Sequence, residues 1–489
     1  MCIRDSNNGL VAYTPSRGII SIRGNWPLFP TCDTVVPHTR TVEDMFSLLD
    51  VIVAKDDKTA GDFWRAQPFV PLPDVDTVRP KSYHDLCDGK ALAGKKIGVP
   101  KMYIGQADSD PTARQVHTRP SVIDLWTNAR QALEALGATV HEVDFPVVTK
   151  FEKPDGNSVV DDQSTAPPHR NDIDMCQLMA YAWDDFLAAN ADATVATSLA
   201  HVDSGTIFPR PRGSIPDRYD ANDPLVRHTD VVAHVTDGRI PTYQIPGLAE
   251  ALRKLETTRK EDFEDWLDAQ GLDAVVWPCN GDVGRADADV NEDSAKEAWR
   301  NGVLYSNGNC AIRQLGIPTV SVPMGIMKDT GMPVNLTFAA RAYDDDNLFR
   351  YGYAFEKGSR LRQAPGRTPE LATDMVEVVA GGEEKKLGDV APELTVDDAT
   401  VVDAQGGGRQ VRVSGKVGGE ELSALRVYVD GDQVQNVKLE DGDWEVVSDV
   451  LVPWNGRPEE AGVPSPDKAM VVVVATGKNG RSSGKMVFV

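Results

Sequence analysis

The chain has 489 residues, 41% of them hydrophobic, and its 51 Lys and Arg against 74 Asp and Glu give a formal charge of −23. Single cores stop growing near about 250–300 residues, so two domains are expected. The charge, with no local basic face, excludes a phosphate-backbone partner held by counterion release, and no apolar run approaches the roughly 20 residues that a membrane-spanning helix needs.

Met1-Cys2-Ile3-Arg4-Asp5-Ser6 runs straight into Asn7-Asn8-Gly9-Leu10-Val11, which reads as mid-domain. Residues 1–6 are therefore read as a non-native start, a translated adapter remnant, with native sequence expected upstream. Residues 7–60 combine a turn-rich stretch at Thr14-Pro15-Ser16-Arg17-Gly18 with a helix that begins at Thr41. Thr41 stands three residues before Asp44, and Val42, Met45, Phe46, Leu49 and Ile52 recur at helical spacing. Lys95 to Pro100 reads as a buried strand, Ser121 to Leu136 as an amphipathic helix ended by Gly137, and Thr139 to Val143 as a second strand, a β-α-β pattern. Residues 155–245, rich in Asp, His and Pro, read as a variable insertion. Helical periodicity returns from Leu248 to Gln270, followed by strands at Leu272–Pro278 and Ile317–Pro323 and a helix at Asp346–Lys357. Residues 7–370 thus form one α/β domain.

Residues 371–392, centred on the Gly-, Glu- and Lys-bearing run Ala380 to Asp389, have linker character. Beyond them Gln410–Val417, Leu425–Val429 and Trp444–Val450 alternate apolar and polar residues between Asp430-Gly431, Asp441-Gly442 and Asn479-Gly480, pairs that suit hairpin turns. Residues 393–489 are read as a small all-β sandwich of immunoglobulin-like size.

Chemistry-bearing motifs are sparse. Six cysteines with no CxxC pair argue against a disulfide or zinc framework and favour a reducing compartment, although an immunoglobulin-like tail also suits a secreted or cell-surface protein and localisation stays open. Gly480-Arg481-Ser482-Ser483-Gly484 matches GxSxG in letters, but strands flank it where a nucleophile elbow needs a helix, so it reads as a hairpin. Asp287-x-Asp289-x-Asn291-x-Asp293 resembles a calcium loop with Glu292 in place of Gly and Ala298 in place of Glu, so it reads as a solvated acidic loop. His169, His201, His228 and His234 are scattered through the insertion without metal-ligand spacing, and no metal is expected. The loop Pro278, Cys279 and Asn280 follows the carboxyl end of a strand, where α/β sheets place ligands, and is the candidate substrate pocket.

Two distant stretches carry a family resemblance. Asn8-Gly9-Leu10-Val11-Ala12-Tyr13-Thr14-Pro15-Ser16-Arg17-Gly18, continued through Pro27 to Thr34 and Arg40-Thr41-Val42, resembles the segment just after the nucleophile loop of amidase signature enzymes. Gly316-Ile317-Pro318-Thr319-Val320-Ser321-Val322-Pro323-Met324-Gly325, Gly331 to Val334 and Leu348 to Glu356 are similar to that family's C-terminal core. The resemblance covers roughly residues 7–365. It implies a mixed-sheet α/β sandwich, present here in part, and hydrolysis of a carboxylic amide through a Ser-cisSer-Lys acyl-enzyme mechanism without metal or organic cofactor. In the family all three triad residues and the glycine-rich oxyanion loop precede the segment that starts here at Asn7, so no catalytic residue carries over and the chain alone is expected to be inactive. Cys2-Ile3-Arg4 overlays poorly on the nucleophile position and is read as part of the terminal remnant. The chain departs from the family at Val36-Pro37, where Gly often precedes the Pro, and at Arg313, where Asn is common, and both are expected to reshape the pocket wall. Arg17 and Asp33 are read as structural, in an ion pair and a turn. If flanking strands and helices are missing, apolar faces such as Val320 and Val322 should be uncovered and a strand edge left open. The partners expected are a small-molecule amide and no nucleic acid, with a homodimer left open. Two rival readings are the glutaminase component of a tRNA-dependent amidotransferase and a non-catalytic binding or surface protein.

Overall fold

The computed structural model describes residues 6–152, 177–190, 196–207, 215, 231–236, 238–288, 290–301, 306–364, 390–403, 409–419, 421–429, 432–449 and 469–489. Cys2, most of the insertion, the Ala380 to Asp389 run, Asp289, Asp430-Gly431, His169 and His228 lie outside the described residues. The chain divides into two compact units, one of residues 1–208 and 215–368, the other chiefly residues 369–489.

The first unit is built on a seven-stranded mixed sheet, β1 (Val11–Thr14), β2 (His38–Thr39), β3 (Lys96–Pro100), β4 (Thr139–Val143), β5 (Ala274–Pro278), β6 (Thr319–Ile326) and β7 (Pro333–Ala339), in the order β2-β1-β6-β7-β5-β3-β4. β3 runs parallel to β4 and to β5, while β1, β6, β7 and β5 pair antiparallel. The β-α-β reading of residues 95–143 holds, with α2 (Pro120–Ala135) as its crossover; α1 (Val42–Ile52) precedes it. Thr41 Oγ1 caps α1 by accepting from the Asp44 amide at 3.1 Å. Gly137 ends α2 at φ +91, where a Cβ would stand 3.1 Å from the Ala93 backbone. The periodic stretch from Leu248 is α4 (Leu248–Arg259), a π-helical turn over Lys260–Glu264 and α5 (Asp265–Gln270); α3 (Pro146–Phe151) lies before it and α6 (Asn309–Leu315) and α7 (Asp345–Ser359) after.

Alternation along β5 divides the core. Val276 joins Val11, Tyr13, Val320, Val322 and Phe338 in an apolar layer under α1, α2 and α7, while Val275 and Trp277 enter a second layer with α3, α4 and α6. β6 is buried on both faces, which is why it reads in sequence as a nearly continuous apolar run. Val320 and Val322 are 0% exposed, so the expectation that they would be uncovered is wrong. The cover comes from α7, whose Gly352 lies so close that a Cβ there would stand 2.9 Å from Val320 Cγ1. One edge strand, β2, has two residues, too short to template much pairing.

The second unit contains two antiparallel sheets. One holds β8 (Glu393–Leu394), β9 (Asp398–Asp403), β10 (Arg409–Gly418), β13 (Lys438–Glu440) and β14 (Asp443–Asp449); the other holds β11 (Leu422–Val429), β12 (Asp432–Gln433), β15 (Met470–Gly477) and β16 (Ser482–Phe488). Val411, Val413, Trp444 and Val446 of the first sheet pack with Val427, Val429, Val471 and Val473 of the second in one core, so this unit is a β-sandwich. Asp441 (φ +51) and Gly442 (φ +88) form the β13–β14 turn as expected for an Asp-Gly pair. The GxSxG stretch is the β15–β16 hairpin, with Ser482 opening β16.

Candidate functional site

The carboxyl end of β5 leads into a group of buried asparagines. Asn280 is 0% exposed; its Oδ1 accepts from Ser6 Oγ at 2.6 Å, and its Nδ2 donates to the Asp282 carbonyl at 2.6 Å and to Asn7 Oδ1 at 3.4 Å. Ser6 Oγ accepts in turn from the Asn335 amide at 2.9 Å, and Asn335 Nδ2 donates to the Leu10 carbonyl at 2.7 Å. Asn307 donates through Nδ2 to the Pro278 carbonyl at 2.7 Å, and its amide reaches the Cys279 carbonyl at 3.1 Å. Side-chain amides carry donors and an acceptor together, so three of them satisfy loop backbone that neither helix nor sheet serves. They fasten the Ser6–Leu10 turn, the β5 exit, the Ser306–Asn309 turn and β7 to one another.

The node explains where the expected pocket residues lie. Pro278 is the last residue of β5, Cys279 is buried, and Asn280 is engaged in the node. None of the three lines the cavity described below. Ser6, grouped with the non-native start, is itself a buried member of the node.

The neighbouring residues Trp277 and Asn307 do face a cavity. It measures ≈ 20 Å³, about the room of one water molecule, between β1, β6, β7 and α6. Thr14, Ser321, Thr337 and Asn307 give it a polar wall, with Ser321 Oγ and Thr337 Oγ1 2.9 Å apart. Asn307 Oδ1 is buried with no hydrogen-bond partner among the described residues. Val36 and Arg313, the two departures from the family pattern, both line this cavity. Arg313 Nη2 donates to the Cys32 carbonyl at 3.0 Å. Among the described residues that line the cavity, Arg313 is the one ionisable group, and no carboxylate, His or Lys stands among them as a base for the hydroxyls.

The two stretches that carry the resemblance interlock around buried charge. Asp345, at the start of α7, accepts from Tyr13 Oη at 2.6 Å, from the Ser16 amide at 2.9 Å and from Ser16 Oγ at 2.6 Å. Burial pushes its carboxyl up, opposed by those hydrogen bonds, and burial with the nearby Asp345 charge pushes the Tyr13 hydroxyl well above its ordinary value. Arg17 lies 3.6 Å over the Trp64 ring, pairs with Glu256 and donates to the Gln314 carbonyl. Burial and then the Arg259 charge lower its pKa. Asp33 accepts from the Leu28 amide at 2.8 Å and the Phe29 amide at 3.1 Å, a turn residue as expected. The asparagine node escaped sequence reasoning because isolated Asn residues carry no periodicity; the one available signal was their clustering after strand ends.

A family model described as Amidase matches residues 6–202. A glutamyl-tRNA(Gln) amidotransferase subunit from Brucella anthropi is 27% identical over 361 residues, 72% of this chain and 59% of that protein. The protein of the same name from Limosilactobacillus fermentum is 24% identical over 367 residues, 75% of this chain and 63% of that protein. The chain spans about three fifths of the length of the curated relatives it matches. Among solved structures, an amidase family protein from Bacillus anthracis aligns with TM-score 0.48 at 19% identity, over 74% of this chain and 56% of that one. The native peptide amidase of Stenotrophomonas maltophilia aligns with TM-score 0.46 at 21% identity, over 73% of this chain and 60% of that one.

Proposed function

The α/β unit belongs to the amidase signature family, and from that premise we propose that the protein is an amide hydrolase acting on a carboxylic amide outside the peptide backbone. The reaction proposed runs through a Ser-cisSer-Lys acyl-enzyme, with the triad and oxyanion loop supplied by residues that precede Asn7 in the family's order. The observation that carries this reading is the family match over residues 6–202, which contains the Ser6–Leu10 turn that the asparagine node holds against β5 and β7. In such a chain the node serves as the anchor from which the preceding loop is aimed. A pocket of hydroxyls and amides without a base of its own fits a supporting role beside chemistry contributed from upstream.

The test is a pair of proteins, the chain as it stands and the same chain joined to the upstream coding sequence of its source. Both are assayed against aliphatic and aryl amides. Hydrolysis is expected in the extended protein alone and is expected to be insensitive to chelators. Turnover by the shorter chain that survives repurification would overturn the reading, and its loss in Cys2→Ala would assign the activity to Cys2.

A second reading is favoured by one specific observation, that the curated relatives are named as amidotransferase subunits. On this reading the extended protein would release ammonia from glutamine and require partner subunits. The sandwich of residues 393–489 and the long insertion weigh against it.

A further inference from the structure

β16 lies at one side of its sheet, and its outer edge is open. Val489 and Ala469 exchange both backbone N–H···O bonds, at 3.0 and 2.9 Å, so they form a hydrogen-bonded antiparallel pair. Such pairs alternate along the unbroken β15–β16 register, which gives Val487 and Lys485 bonds to β15 and turns the N–H and C=O of Gly484, Met486 and Phe488 away from it. Among the described residues those outward groups have no backbone partner. Before Gly484 the edge is occupied, since Ser483 Oγ donates to the Pro392 carbonyl at 2.5 Å.

Three features show what this edge fits. The first is its apolar outer face. β15 reads Met470-Val471-Val472-Val473-Val474-Ala475, a continuous run where a strand with one solvated face alternates, and the register sets Tyr428, Val472 and Met486 in one row and Met470 beside Phe488 in the next. Met486 and Phe488 are 58% and 38% exposed. The other sheet of the sandwich does the opposite, pairing Arg412 with Glu445 and Lys416 with Asp443, each at 3.5 Å, on its solvated face. The second feature is charge. At −23 two copies of the chain repel at long range, yet β11, β15 and β16 contain no Asp or Glu. The third is Gly484, for which the single chain gives no reason: it does not take a positive φ, and a Cβ there would meet only the Val473 carbonyl, at an ordinary 3.8 Å. Glycine inside a strand weakens it and marks a place where another backbone comes close.

We propose that the β16 edge pairs with the β16 edge of a second copy of this chain, antiparallel and centred on Met486. A register centred on Lys485 would set two ammonium groups directly opposite each other, which destabilises a pair. Centring on Met486 sets Lys485 beside Val487 of the second copy and engages every outward group. Met486 bonds to Met486 of the second copy, and Gly484 and Phe488 bond to its Phe488 and Gly484, about six N–H···O=C bonds in all. Each Phe488 ring then lies over a bare glycine backbone, the arrangement by which an aromatic residue covers an edge glycine. The rows of Tyr428, Val472 and Met486 in the two copies meet across the two-fold axis, so the apolar faces become one. The contact is isologous and closes at a dimer, because each chain spends its one β16 edge. It is independent of the proposed hydrolysis, and its test needs no turnover.

The full chain is followed by sedimentation velocity from about 1 to 200 µM, and a shift from monomer to dimer with rising concentration is expected. Met486→Lys, at an exposed position, puts like charges on the two-fold axis and should leave a monomer throughout that range, with the thermal transition of the sandwich unchanged. Register is read by cross-linking in a glutathione redox buffer. The Cα atoms of a hydrogen-bonded pair stand about 5.5 Å apart, within disulfide reach, so Met486→Cys should give a covalent dimer beyond the level of the unsubstituted chain. Lys485→Cys should not, because its counterpart is staggered along the strand, beyond about 7 Å. A monomer at every concentration, a dimer that survives Met486→Lys, or a cross-link at position 485 in place of 486 would each overturn the proposal.

Discussion

Asn280→Ala is the sharpest test of the asparagine node. The change deletes the 2.6 Å bonds to Ser6 Oγ and the Asp282 carbonyl and the 3.4 Å contact to Asn7. Two good hydrogen bonds are worth about 1 kcal/mol each net, and the stranded Ser6 hydroxyl and Asp282 carbonyl add about 1 kcal/mol together if water enters, so the loss is roughly 3 kcal/mol. For a unit of this length the unfolding entropy is large, and roughly 3 kcal/mol corresponds to a fall of about 5 °C. Differential scanning calorimetry of the full chain is the assay, because two units need not melt together and the α/β transition must be followed separately from that of the sandwich. Ser6→Ala and the double variant complete a cycle. The Ser6 hydroxyl stands between Asn280 and the Asn335 amide, so the two losses should overlap by about 1 kcal/mol. A fall below about 1 °C in the α/β transition, or strict additivity in the cycle, would refute the idea that these residues act as one anchor.

Three other outcomes are expected. Gly316→Ala should be much more harmful than Gly331→Ala: both glycines have positive φ, +65 and +72, but a Cβ at 316 would meet Arg17 Nε at 2.5 Å while nothing lies within 4 Å at 331. The left-handed backbone alone costs about 1 kcal/mol at either site, so a thermal-shift difference near zero would show that the Arg17 packing is loose. Asp346, pushed up to about 6 by burial and the neighbouring Asp345, binds more protons folded than unfolded between about pH 4 and 6, so its contribution falls as pH rises through that window. Asp346→Asn should therefore raise the melting temperature at about pH 7.5 and leave it unchanged at about pH 4, and the opposite pattern would reverse the assigned shift. Residues 390–489 expressed alone should give a dispersed amide NMR spectrum, since the sandwich core of Val411, Trp444, Val427 and Val471 lies within them; a collapsed spectrum would count against a self-sufficient fold.

Local rules were legible where one residue type has one physical use. Thr41 before Asp44 announced a cap, Gly137 announced the end of a helix, and Asp441-Gly442 announced a hairpin. Strands buried on both faces, β5 and β6, also stood out as short apolar runs. β1 did not, because its four residues, Val11 to Thr14, sit against a Pro- and Gly-bearing turn and are too few to show a period. β7 was equally hidden: Pro333 opens it and Asn335 and Thr337 interrupt its apolar pattern, since both are buried with their polar atoms turned to loop backbone and to Ser321. The uncovered face expected at Val320 and Val322 failed for a related reason. The helix that covers them carries Gly352 at the contact, and the absence of a side chain is what lets the two elements meet.

The candidate site divides along the same line. Pro278 to Asn280 could be placed in sequence at a strand exit, but not whether they face a cavity or the protein's own backbone, because an amide side chain serves either purpose equally well. The Asn280 amide is engaged by the protein through both its oxygen and its nitrogen, whereas Asn307 Oδ1 has no hydrogen-bond partner among the described residues. The resemblance stretches behave alike. Ser16 and Asp345 are joined by buried hydrogen bonds that bind the first stretch to the start of the last helix, and Arg17 of the first stretch pairs with Glu256. A segment can therefore keep a family's pattern through structural need alone.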